Sequence, residues 1–295
     1  MPLDKNNRTH SFLVCGAAYA CALVAAAAVC RFAAVPPAYA AFLADLAATV
    51  VVFIFSLALD NSSVYDPYWS VAPVPIALYW IFGSGSGLDA RQGIALLLLL
   101  TWAARLTFNW ARRWTGLGDE DWRYAERRSS GAAYWPLSFV GFHLMPTVLV
   151  FFGCLPLFPL LTGAGRPELG AMDLAAVVVT CGAIFVESAA DRELRRFLTS
   201  PRVPGAVLDT GLWSLSRHPN YFGEVAFWWG IWLFGLASNP GWWWTIVGPA
   251  AITALFLGVS IPLMDRRMLS RHPGYEAYRV SHSSFLPIPR RQPTA

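Results

Sequence analysis

Two stretches of the sequence combine residue types and spacings that could do chemistry. The first is Asp60-Asn61-Ser62-Ser63-Val64-Tyr65-Asp66-Pro67-Tyr68-Trp69, where carboxylates and phenols crowd between long apolar blocks. A carboxyl withdrawn from water beside tyrosine is how a proton donor with a raised pKa is made. Asp66 is therefore the candidate acid, with Tyr65 and Tyr68 as its phenolic neighbours. The second stretch, residues 209–224, reads Asp-Thr-Gly-Leu-Trp-Ser-Leu-Ser-Arg-His-Pro-Asn-Tyr-Phe-Gly-Glu. Pro219 suits the first turn of a helix, where its missing N–H costs nothing. The remaining backbone donors of that turn, flanked by Arg217 and His218, favour a phosphate or a carboxylate. Asn220 and Glu224, four apart, would share one face of that helix.

Further ionisable groups lie where hydrocarbon makes them costly. Glu187, Asp191 and Arg195 follow the i, i+4, i+8 spacing of a single helix face, compatible with an internal salt bridge or with ligand contact. Arg105, Asn109, Arg112 and Arg113 form a polar stripe toward a helix end, which either snorkels or binds. The five cysteines lack the paired short spacing of a zinc or redox site, and no metal centre is expected.

These groups need elements to hold them, and composition says which. The chain has 295 residues, 56% hydrophobic and 14% charged, with a mean hydropathy of +0.45. A soluble domain carries about 25% charged residues. Apolar blocks at 11–35, 39–59, 69–83, 92–111, 137–162, 174–190, 222–237 and 243–264 predict an all-α bundle of about seven or eight membrane spans. The third and seventh are short. With eight spans, the basic segments at the N-terminus, at 112–136, at 191–217 and from 265 onward all fall on one side. The positive-inside rule makes that side the cytoplasm, and the membrane is expected to be a bacterial inner one. The three large segments carry sixteen arginines against nine acidic residues, a net charge of +7. One integral membrane domain over 1–295 is expected, its chemistry within 60–289 after one or two extra spans. Its partners are a lipid-like small molecule and membrane lipids, with no nucleic acid and no obligate protein partner.

The run from Arg217 to Glu224 resembles the membrane-bound steroid 5α-reductase family, most closely its bacterial branch of uncharacterised relatives. The resemblance extends to Tyr65-Asp66-Pro67-Tyr68-Trp69-Ser70, to Glu120-Asp121-Trp122-Arg123-Tyr124, to Glu187 through Asp191 with Arg195 and Arg196, and to Pro273 through Tyr278. It implies an NADPH-dependent reductase that delivers hydride to the β-carbon of an enone in a steroid-like or isoprenoid substrate. By position it implies Asp191, Arg195, Asn220 and Tyr221 at the dinucleotide, and Arg105, Arg113, Arg123 and Tyr124 at its phosphates and adenine end, with Glu224 in the same network. Asp66 falls close to the family's catalytic glutamate. The tyrosine that pairs with that glutamate has Trp102 at about its place here, so Tyr65 or Tyr68 takes over or the chemistry differs.

The Arg-His-Pro run followed by a helical hairpin is also similar to isoprenylcysteine carboxyl methyltransferases, which use S-adenosylmethionine. Phosphate load separates the two, since NADPH needs several arginines and S-adenosylmethionine fewer. A non-enzymatic lipid-binding protein is a third expectation. A transporter finds no support in an internal repeat.

Overall fold

The computed structural model describes residues 4–85, 87–163, 168–203 and 205–289. Among them every regular element is helical, and the one β-bridge, parallel, joins Ser216 and Ser283. The chain divides into two compact units, Met1–Ala164 and Gly165–Ala295.

In the first unit, α1 (Arg8–Phe32) and α2 (Pro37–Leu59) pack as a hairpin. Asn7 caps α1 by accepting from the His10 N–H, and Pro37 opens α2 where an N–H is not needed. A single turn at Tyr68–Val71 leads into α3 (Pro73–Ser84). Next comes α4 (Ala90–Arg113), whose start is closed by a reciprocal capping box between Asp89 and Gln92. The helical run α5 (Trp122–Cys154) is kinked at Gly131, with φ at 58°, and widens to a π turn at Phe139–Leu144. The core of this unit gathers Cys15, Ala18, Val52, Tyr65, Tyr68 and Trp114.

In the second unit, α6 (Ala171–Thr199) lies along α7 (Pro219–Ser238), followed by α8 (Pro240–Arg271) and the short α9 (Tyr275–Ser281). Close approach of α6 and α7 depends on Gly223, where an added Cβ would stand 2.6 Å from Glu187 Cβ and 2.9 Å from the Ala183 carbonyl oxygen.

Among the described residues six helices, α1, α2, α4, α5, α6 and α8, are long and apolar enough to cross a membrane, and the chain is an all-α polytopic membrane protein. The two remaining blocks are those read as short from the sequence. Pro73 divides the third into one turn and a 12-residue helix, which rises only about 18 Å. At 20 residues α7 reaches about 30 Å, enough for a bilayer core, but Asn220, Glu224 and three tryptophans dilute its hydropathy.

Candidate active site

The loop after α2 builds the first site. Asp60 ends the helix in the left-handed region, with φ at 50°. Asn61 then caps a 3₁₀ turn, Ser62–Tyr65, by accepting from the Ser63 N–H at 2.8 Å. The Asn61 amide donates to the carbonyls of Leu117 and Asp119, both at 3.0 Å, tying this turn to the segment that starts α5. Asp66 follows the turn, and its Oδ1 accepts from Tyr124 Oη at 2.6 Å while Arg123 Nη2 stands 3.5 Å away. Burial pushes the Asp66 carboxyl up to about 6, against the opposing pull of Arg123 and the hydrogen bond from Tyr124. The outcome is an acid poised near neutrality, which is what proton transfer at physiological pH requires.

Tyr65 and Tyr68 point elsewhere. Their rings stack on each other at 4.8 Å, the Tyr65 hydroxyl meets Thr147 at 2.7 Å, and the Tyr68 hydroxyl donates to Asp45 Oδ1 at 2.6 Å. The phenol beside Asp66 is therefore Tyr124, which the family resemblance had assigned to the cofactor. Burial also raises Tyr65 and Tyr68 well above the usual phenol range, which suits neutral hydrogen-bond donors. Beside this centre Glu120 accepts from the Ser62 N–H at 2.7 Å and pairs with Arg128 at 2.9 Å. Arg128 also meets Asp60 and lies 4.2 Å from the centre of the Tyr134 ring.

Of the basic residues expected around a cofactor in this unit, Arg123 is at Asp66 and partly exposed. Arg113 is exposed on the last turn of α4, where its Nε donates to the Asn109 carbonyl. Arg105 is half-buried two turns earlier, and Trp102 is fully buried.

In the second unit, α6 and α7 align the other candidates. Glu187 is buried against Gly223, Asp191 is half-buried one turn on, and Arg195 is exposed a turn beyond. On α7, Glu224 is buried and accepts from Trp228 Nε1 at 2.9 Å. Asn220 Oδ1 is buried without a hydrogen-bond partner among the described residues. The Tyr221 ring lies parallel to His218 at 5.1 Å.

Arg217 and His218 differ from the expectation of a phosphate cradle. Arg217 Nη2 sits 2.9 Å from Asp265 Oδ2 and His218 Nε2 3.0 Å from Asp265 Oδ1, so an internal carboxylate already answers the cationic guanidinium and the imidazole. The sequence reading counted Asp265 only as a charge. It also passed over Asp45, buried in the middle of α2 at 5% exposure, although a lone carboxylate inside an apolar span was the signal. No cluster of metal-binding side chains occurs among the described residues.

Comparison with known proteins places the chain in a family. The profile of the family described as "Protein of unknown function (DUF1295)" matches residues 52–283, and the chain belongs to that family. It is similar to uncharacterized protein C594.04c of Schizosaccharomyces pombe, with 26% identity over 251 residues, 77% of this chain and 73% of the relative. No solved structure matches the chain.

Proposed function

From membership of the DUF1295 family and the chemistry gathered at Asp66, we propose that the protein is a membrane-embedded, NADPH-dependent reductase. Its substrate is a lipid-like molecule, a steroid or isoprenoid, with a carbon–carbon double bond conjugated to a carbonyl. The membrane is a bacterial inner membrane, with both termini in the cytoplasm. The observation that carries this is the 2.6 Å hydrogen bond from Tyr124 to Asp66. In the steroid 5α-reductases that the sequence resembles, a carboxylate works with a tyrosine from a later span. Trp102 has no hydroxyl to offer in that role, and Tyr124 provides the phenol instead.

NADPH, when bound, supplies the hydride. The chain's own part is to hold a proton at the substrate carbonyl, and Asp66 with Tyr124 does so. The carboxyl sits near neutrality, the phenol is already hydrogen-bonded to it, and Arg123 at 3.5 Å stabilises the carboxylate once the proton has left. The residues fit the cofactor in part. Asn220 Oδ1, buried and unpartnered, suits a donor on the dinucleotide, and Arg195, exposed on α6 of the same unit, suits its phosphates. Within the first unit an apolar groove of about 510 Å³ runs past Ser70, Val71, Val74, Leu100 and Phe108, in character with a lipid-like substrate.

One observation favours the second reading, an S-adenosylmethionine-dependent methyltransferase. Asp265 neutralises Arg217, leaving the start of α7 less positive than the sequence suggested. Titrating the purified protein with each cofactor by tryptophan fluorescence separates the two. NADPH binding is expected, and S-adenosylmethionine binding without NADPH binding overturns the reductase. With NADPH and a panel of lipid enones, Tyr124→Phe should lower turnover about 100-fold with little change in cofactor affinity.

A further inference from the structure

Asp265 joins three segments of the second unit. Its carboxylate takes Arg217 and His218 from the start of α7 and the hydroxyl of Tyr275 from α9, while Asp265 itself belongs to α8. The remaining contacts of Arg217 follow the same plan. Its Nη1 donates to the Arg279 carbonyl at 2.7 Å and its backbone N–H to the Ser283 carbonyl at 2.9 Å. The pair is largely withdrawn from water, with side-chain exposures of 9% for Arg217 and 13% for Asp265. A buried ion pair contributes little net stability compared with well-packed apolar residues, and its best-attested use is to fix register. Register matters here because the next residues are Asn220, with its unpartnered Oδ1, and Tyr221, stacked on the His218 ring that Asp265 holds.

We propose that Asp265 is a positioning residue of the cofactor site: by holding Arg217 and His218 it sets the first turn of α7 so that Asn220 and Tyr221 face the dinucleotide. This rests on the reductase reading, in which those two residues meet NADPH. Asp265 acts through Arg217 and His218 and touches neither cofactor nor substrate.

The test uses the full chain in detergent, titrated with NADPH by tryptophan fluorescence, alongside hydrogen–deuterium exchange of peptides covering 215–224 without cofactor. Asp265→Asn should weaken NADPH binding about tenfold, a difference well resolved by titration. Asp265→Glu, which keeps the charge, should recover most of it. In Asp265→Asn, exchange over 215–224 should rise while exchange in α1 stays as in the wild type. If Asp265→Asn fails to fold, Tyr275→Phe removes one contact and should give a smaller loss of the same kind. Unchanged NADPH affinity in a folded Asp265→Asn overturns the proposal. Tighter binding also overturns it and makes Arg217 a phosphate ligand that Asp265 restrains. Should the wild type bind no NADPH, the reductase reading fails separately; unchanged exchange over 215–224 in Asp265→Asn then overturns the positioning role as well, and increased exchange supports Asp265 as the holder of that turn.

Discussion

Asp66 in the first unit and Asp265 in the second each gather an arginine and a tyrosine, yet the two sites differ in how completely the carboxylate is answered. Asp265 has a guanidinium at 2.9 Å, an imidazole at 3.0 Å and a phenol, using both oxygens. Asp66 has one phenol at 2.6 Å and a guanidinium only at 3.5 Å, both on Oδ1, besides a hydrogen bond from the Ser63 side chain. A saturated carboxylate is a joint: it holds several elements and has no proton to offer. An under-compensated one keeps its proton affinity near the working pH and can exchange that proton with a substrate. On the proposed reductase reading, the same residue types serve architecture in one unit and chemistry in the other.

The sharpest way to break this contrast is to remove the charge from the joint. Arg217→Ala strips Asp265 of its best partner in a largely buried setting, and deletion of one member of such a pair costs about 3–5 kcal/mol. Thermal unfolding in detergent should show a large drop, with earlier tryptic cleavage near Arg279, whose carbonyl Arg217 also holds. A variant as stable as wild type would mean that Asp265 is not the joint described.

The complementary change at the other aspartate should have the opposite sign. The Asp66 carboxyl moves from 3.8 to about 6 on folding. Its contribution is therefore fully present below pH 3.8 and is lost as pH rises through about 6. Above that, keeping Asp66 ionised costs about 2–3 kcal/mol. Asp66→Asn should accordingly raise the apparent Tm relative to wild type at pH 8, and the gain should vanish near pH 4, while turnover collapses at both. A variant less stable than wild type at pH 8 would place Asp66 with Asp265 among the joints.

How legible these sites were in the sequence follows from where their partners lie. Asp66 stood out because carboxylates and tyrosines cluster between apolar blocks, and the start of α7 because Pro219 follows two cationic residue types. Helical class and most span positions followed from block length alone. What could not be read is pairing across distance. Tyr124 lies 58 positions from Asp66, and Asp265 lies 47 from His218, so only the fold says which acid meets which base. Neighbours in sequence misled instead: Tyr65 and Tyr68 flank Asp66, but their hydroxyls turn to Thr147 and Asp45. The third block, already short in the sequence, is shortened further because Pro73 starts a new helix, a local effect that hydropathy averages away.

The smallest expected effect tests whether geometry in the second unit, apart from its charges, governs the first unit's chemistry. Gly223→Ala changes no charge, but its Cβ would stand 2.6 Å from Glu187 Cβ and 2.9 Å from the Ala183 carbonyl oxygen, both on α6. The backbone oxygen cannot rotate away, so α6 and α7 must move apart, and overpacking of this kind costs about 1–3 kcal/mol. Because Asn220 and Asp191 sit on these two helices, NADPH affinity measured by fluorescence titration should fall with the strain. The pH dependence of turnover, which the proposed function assigns to Asp66, should keep its midpoint. A shift of that midpoint would show that packing at Gly223 reaches Asp66, and the separation of joint from chemistry would have to be abandoned.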